Sequence, residues 1–345
     1  MPEELNARDE RLELAKQWLA GFAGKYRLKT DTLVRASSDA GFRRYFRVSS
    51  DSEARSYIVM DAPPGKEDIR PFIRVDAIGV RAGLHVPKIH EADAEQGFML
   101  LSDLGRETFL DRFNEDRSLA PAYFSAATDA LVAFQAVSEP GLMPEYSEAK
   151  IREELSLFPE WYVKRHRGTT FDEREQKIWD TVCDRLVKSM ASESKVLVHR
   201  DFMPRNLMVS DPMPGVLDFQ DALYGPVSYD IASLMRDAFI SWDEAFTLDV
   251  SIRYWEKARA AGIPVPSDFG LFWQQIEWTG MQRHLKVLGI FARLNYRDGK
   301  PKYLADTPRF IAYVRHVANR YEQLKPILAI IDRLEGPSGT EAWSY

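Results

Sequence analysis

The chain has 345 residues, 45% hydrophobic and 28% charged, which is too long for one small core and too apolar for a disordered polymer. Its formal charge of -6 argues against nucleic acid or an anionic membrane as the main partner, and its single cysteine, Cys183, excludes an internal disulfide and a cysteine-built zinc site. No apolar run approaches a membrane span and the opening residues mix acids with bases, so a cytoplasmic protein with no membrane partner is expected.

Leu12, Ala15, Leu19 and Phe22 recur at three- and four-residue steps, which predicts an opening helix that ends near Gly24. RYFRV at 44–48 and SYIVM at 56–60 read as strands, with DAPPG at 61–65 as the exit turn. A helix over about 69–82 precedes GLHVPKIHEAD, and QGFMLLSDLG at 96–105 reads as a buried strand ending in a Gly turn. That turn sets the expected boundary, with a β-rich N-lobe over 1–104 and a C-lobe over 105–345. Beyond it helical spacing dominates, broken only by the short strands VLVH, NLMV and GVLDF. The last residues, EGPSGTEAWSY, read as a loose tail.

The chemistry gathers in VLVHRDFMPRNLMVSDPMPGVLDFQDALYG, residues 196–225. A strand over 196–198 delivers Asp201 onto a loop, and a hairpin around SDPMPG is expected to bring Asn206 and Asp218 side by side. An amide oxygen beside a carboxylate is a hard-oxygen pair of the kind Mg²⁺ prefers, with phosphates and water filling the other positions. Asp201 on the same loop is placed to accept the proton of an attacking hydroxyl. The plainer alternative makes Asp201 and Asp218 turn and cap residues.

HRDFMPRN, LDFQDA and YDIASL resemble the aminoglycoside phosphotransferase and choline kinase branch of the protein-kinase-like fold. SDAGFRRYFRV, VMDAPP, FMLLSDLG and VLDFQDALYGPVSYDIASLMRD further resemble bacterial cell-wall-recycling sugar kinases, which use ATP to phosphorylate the anomeric hydroxyl of N-acetylmuramate and N-acetylglucosamine. The resemblance covers roughly residues 30–300. It implies an α+β, two-lobed protein-kinase-like fold with a small β-rich N-lobe and a larger, mainly helical C-lobe. It also implies ATP and Mg²⁺ as cofactors, Asp201 as base, Asn206 and Asp218 as metal ligands, and main-chain groups of Leu101 and Asp103 against the adenine. Asp230, in YDIASL, would brace the catalytic loop or cap its own helix.

Two cations expected of a protein kinase are absent. Met203 stands two residues after Asp201 where a lysine is usual, so Arg205 becomes the candidate to face the transferred phosphoryl group. SYIVMDAPP carries no strand lysine either, which leaves Arg43 and Arg44. Strand alternation turns one inward and the other outward, and Arg44 is the favoured phosphate ligand. Ser38, with Ser37, is the candidate phosphate donor of the loop SSDAGFRRYF, and Asp221 is either a support for Asp218 or a cap.

Only about a dozen residues separate Asp218 from YDIASL, too few for a peptide-docking platform, so the substrate is expected to be small. ELSLFPEWYVKRH at 154–166 and the stretch 273–300 mix aromatic and polar residues as a sugar pocket requires. Glu160, Trp161, Arg283 and His284 are therefore the candidate sugar contacts, the last two facing a substrate carboxylate. The leading expectation is a monomeric amino-sugar 1-kinase of peptidoglycan recycling. An aminoglycoside or choline-type kinase and a non-catalytic nucleotide-binding scaffold remain the alternatives.

Overall fold

The structure, a computed structural model, describes residues 9–37 and 42–337. Its first part is an antiparallel sheet of five strands in the order β1-β2-β3-β5-β4, with β1 Leu28–Ser37, β2 Arg44–Ser50, β3 Ser56–Asp61, β4 Ile89–Asp93 and β5 Phe98–Ser102. The expected strands form the centre, and the two unexpected ones, β1 and β4, form the edges. Edge strands need bury only part of their surface, so LKTDTLVRAS and IHEAD carry polar residues that obscure the period of two.

The two faces of the sheet have different partners. On one, Phe46, Val48, Tyr57, Val59 and Leu100 pack with Leu19 of α1 (Glu10–Ala20). On the other, Met60, Met99 and Leu101 join a core that includes Phe72 and Val75 of α3 (Arg70–Arg81). The opening helix stops sooner than its periodicity implies. It is capped at Gly21, a single turn, α2 (Ala23–Tyr26), contains Gly24, and the real stop is Arg27, held left-handed at φ 50°.

The rest of the described chain is mainly helical: α4 Phe109–Glu115, α5 Ala120–Ala136, α6 Glu148–Leu155, α7 Glu173–Ser192, α8 Tyr229–Met235, α9 Glu244–Ala260, α10 Phe269–Tyr296, α11 Thr307–Arg320 and α12 Ile327–Glu335. The middle of α10 is buried nearly all round, from Ile276 to Leu285 without an exposed residue. It packs against a π-helical segment, Phe158–His166, so closely that a Cβ on Gly289 would lie 2.4 Å from the Leu157 carbonyl group. Among the described residues no helix is long and apolar enough to cross a membrane.

Two small sheets carry the motif between these helices. β6 (Lys195–Val198) pairs with β9 (Leu223–Pro226), and β7 (Leu207–Met208) pairs with β8 (Gly215–Val216) as the expected hairpin. The Leu207–Val216 pairing places Asn206 and Leu217 across from each other, and the Leu217 N–H donates to the Asn206 carbonyl at 3.0 Å.

Candidate active site

A cavity of about 280 Å³ lies between sheet and helices, lined by Ile58 and Leu101 from above and by Met208 and Leu217 from below. Arg205, Asn206 and Asp218 line the same cavity, so an apolar slot runs into a polar, charged region. Leu101 presents its side chain there. Asp103 follows the last residue of β5, lines the slot, and its carboxylate is tied to Arg47 at 2.5 Å and to the Ser56 hydroxyl at 2.7 Å. That leaves the main chain of Asp103 as its contribution to a ligand.

The Asn206 amide nitrogen donates to the Asp201 carbonyl at 2.9 Å and lies 3.4 Å from the Asp218 carboxylate. The expected juxtaposition is present. With its nitrogen occupied, the amide keeps its oxygen for another partner, and Asp218 supplies a carboxylate braced by Gln220 at 2.8 Å. One amide oxygen and one carboxylate fit a small divalent ion that takes its remaining ligands from phosphates and water. Among the described residues no group of three or more His, Cys, Asp or Glu could hold an ion unaided. Asp218 sits at φ 63°, a left-handed conformation costing about 1–3 kcal/mol in a residue other than glycine, which the hairpin and Gln220 sustain.

Arg200, just before the candidate base, is left-handed as well, at φ 78°. Asp230 holds this corner: its two carboxylate oxygens accept from the His199 and Arg200 main-chain nitrogens at 2.7 and 2.9 Å. Its role is bracing, not capping its own helix. Burial pushes the Asp230 carboxyl up to about 7 despite those two donors. His199 lies beneath the loop against Phe134 and Phe202, and burial takes its imidazole down to about 4, so it packs as a neutral ring.

Arg43, just before β2, and Arg44, its first residue, separate as alternation requires, but in the opposite sense from the expectation. Arg44 points to the back of the sheet, where its guanidinium meets Asp61 at 2.6 Å and Asp9 at 2.5 Å while Arg11 also pairs with Asp61. The register explains it. Arg44 pairs with Asp61 and shares the face of Phe46, which packs toward α1, whereas Tyr45 and Arg47 line the cavity.

Arg43 is the cation on the side of Asp218 and Asp221. It lies 3.7 Å from Glu67 and 3.8 Å from Asp221, and its Nε has no hydrogen-bond partner among the described residues. Burial opposes its charge, but Tyr45, Asp218, Glu67 and Asp221 outweigh that and hold its proton affinity above the ordinary arginine range. Arg205 lines the cavity and lays its guanidinium 4.9 Å from the Phe239 ring centroid. Ser38 lies outside the described residues.

The proposed sugar contacts do not converge. Arg283 is buried and spends its donors on the Arg200 carbonyl at 3.0 Å, the Tyr229 hydroxyl at 3.2 Å and the Ser233 hydroxyl at 2.6 Å. His284 stacks on Tyr313 at 4.7 Å, and burial together with Arg283 and Arg236 holds its imidazole well below the usual histidine range, hence neutral. Both belong to the buried middle of α10, so neither is presented to a substrate carboxylate. Glu160 is exposed on the π-helical segment and acts electrostatically on Arg293, while Trp161 packs half-buried on the core. At 1.5 Å per residue, Arg293 stands about 15 Å along α10 from Arg283, which keeps Glu160 and Trp161 away from Asp201.

Residues 32–263 match the Phosphotransferase enzyme family. The chain belongs to that family. It is 50% identical over 310 residues, 90% of each chain, to an N-acetylmuramate/N-acetylglucosamine kinase of Pseudomonas aeruginosa. A protein of the same name from Neisseria meningitidis is 47% identical over 90% of this chain and 92% of its own. Among solved structures, a choline kinase from Streptococcus pneumoniae superposes with a TM-score of 0.63 at 14% identity, covering 89% of this chain and 99% of its own. The GDP complex of aminoglycoside 2'-phosphotransferase-IIIa superposes with a TM-score of 0.62, also at 14% identity, covering 91% of this chain and 100% of its own. The fold is therefore the two-lobed, protein-kinase-like one, and the protein is a kinase.

Proposed function

We propose that the protein is an ATP- and Mg²⁺-dependent kinase that phosphorylates the anomeric C1 hydroxyl of N-acetylmuramate, N-acetylglucosamine or both, within peptidoglycan recycling in the cytoplasm. The observation that carries this reading is the 50% identity to a kinase named for those two sugars, extending over 90% of each chain. Asn206, which lines the cavity with Asp218 and bridges the Asp201 carbonyl to the Asp218 carboxylate, supports it chemically.

The adenine occupies the slot between Ile58 and Leu217, against the main chain at Leu101 and Asp103. Asn206 and Asp218 would hold a magnesium ion, which would draw charge from the nucleotide phosphates. Asp201 orients the C1 hydroxyl and takes its proton as the sugar oxygen forms a bond to the γ-phosphorus. The bond from that phosphorus to the bridging oxygen breaks, and ADP leaves with the electron pair. Arg43 and Arg205 offset the charge on the phosphates. Residues 1–104 and 105–345 act as the two lobes that enclose the nucleotide.

Phosphorus and proton NMR of the product formed from ATP and each sugar tests this. A phosphate coupled to the anomeric proton is expected. A product phosphorylated only at C6, or turnover confined to aminoglycosides or choline, overturns the assignment.

A further inference from the structure

Arg200, the residue immediately before Asp201, is fixed at every polar group but one. Its main-chain nitrogen donates to Asp230 and its carbonyl accepts from Arg283 at 3.0 Å. Its side chain spans two elements: one Nη donates to Glu154 of α6 at 2.5 Å and the other to the Asp221 carbonyl at 3.4 Å. Arg200 thus ties the loop carrying the candidate base to the loop carrying the candidate metal ligand. A left-handed residue in this position needs such restraint, because its backbone gains by relaxing.

Glu154 is the anchor of that tie. Its side chain is 6% exposed, and it gathers Arg200, the Lys286 ammonium at 3.4 Å, the Tyr146 hydroxyl and the Gln282 amide at 3.3 Å. Burial alone would raise its carboxyl, but Lys286, Arg200 and the two hydrogen bonds outweigh burial and take it down to about 2. It is anionic at any working pH. The carboxylate thus pairs directly with two cations beneath the catalytic loop, and one of them, Lys286, shares the Tyr229 hydroxyl with Arg283.

We propose that Glu154 is a positioning residue for phosphoryl transfer, acting through Arg200 to hold Asp201 and the Asp218 loop in register. The proposal rests on the reading of Asp201 as the base. It requires the charge and reach of Glu154, not only its volume, since a neutral amide binds a guanidinium weakly and a shorter carboxylate falls short of it.

Glu154→Gln in the full chain, assayed with ATP and N-acetylglucosamine, is expected to lower kcat at least 30-fold while both KM values stay within threefold. Combined with Arg200→Lys, it is expected to cost no more than Arg200→Lys alone, within threefold, because both changes break the same tie. A kcat within threefold of wild type, a KM effect without a kcat effect, or losses that multiply in the double variant each overturn the proposal. Should Glu154→Gln fail to fold, Glu154→Asp is judged by the same criteria. Asp201→Asn is measured in parallel. If that variant is active the base assignment fails, whereas an inactive Asp201→Asn beside a fully active Glu154→Gln removes the Glu154 inference alone.

Discussion

The Arg43 guanidinium stands 3.8 Å from the Asp221 carboxylate, while its neighbour Arg44 is closed onto Asp61 on the far side of the sheet. One position along the chain separates a cation beside Asp221 from one spent on Asp61 and Asp9.

Replacing these two arginines should therefore have opposite consequences. Arg43→Met is expected to cost about 10–1000-fold in kcat/KM for ATP with little loss of stability. Arg44→Met should leave turnover near wild type and lower stability by about 1–3 kcal/mol, since Asp61 is wholly buried and would keep only Arg11. Kinetics and urea unfolding of both variants check the contrast, and an inactive, stable Arg44→Met would restore Arg44 to the cleft.

Asp201→Asn is expected to lower kcat by about 10²–10⁴-fold, the usual worth of a proton acceptor in the transition state. Nucleotide affinity, measured by calorimetry, should be unchanged, because the cavity walls that would hold the base are Ile58, Leu101, Met208 and Leu217.

The magnesium dependence should move with its ligands. Asn206→Ala and Asp218→Ala remove the two oxygen donors, and each should raise the Mg²⁺ concentration for half-maximal rate by at least about tenfold. Chelation with EDTA should stop wild-type turnover reversibly. A magnesium curve unaltered in both variants would place the ion elsewhere.

Glu193 supplies a pH dependence that has nothing to do with catalysis. It is buried and accepts from the Ser228 N–H and the Thr279 hydroxyl, each at 3.2 Å, and burial raises its carboxyl from 4.5 to about 7. The folded state then binds its proton more tightly than the unfolded state, so stability falls as pH rises from about 4.5 to about 7. The full loss is about 3 kcal/mol, since each tenfold gain in proton affinity on folding is worth about 1.36 kcal/mol. Glu193→Gln should lack this contribution: wild type gains stability over the variant as pH is lowered from 8 to 5. Parallel denaturation curves at both pH values would show that Glu193 titrates normally.

Local signals were readable where chemistry depends on short range. Asn206 and Asp218 are twelve residues apart, and a tight hairpin between two apolar runs is enough to bring them together. The central strands were equally legible: β3 and β5 are mostly buried and mostly apolar, and β2 alternates, with Phe46 and Val48 buried between more polar neighbours. The choice between Arg43 and Arg44 was not, since alternation says that one faces the cleft but cannot say which. Glu153 and Glu154 make the same point for α6: the first is an exposed partner of Lys150 and the second a buried anchor, yet both are simply glutamates on a helix. The burial of Arg283 and His284 was not legible either: α10 is surrounded, so these polar residues meet partners in the interior.

The sequence by itself determined the candidate catalytic kit, Asp201, Asn206 and Asp218, spaced along one loop and one hairpin, together with the kinase family that this order marks. Their proximity follows from turn geometry within a few residues. Tertiary structure alone decided that Arg43 meets Glu67 while Arg44 meets Asp61, where Arg283 spends its donors, and that Glu154, from a helix more than forty residues upstream, reaches Arg200. The reason is physical: a charged side chain looks the same in sequence whether it meets water or a buried partner. Only the packing of distant elements settles which it meets, because an unpaired charge is costly in the interior.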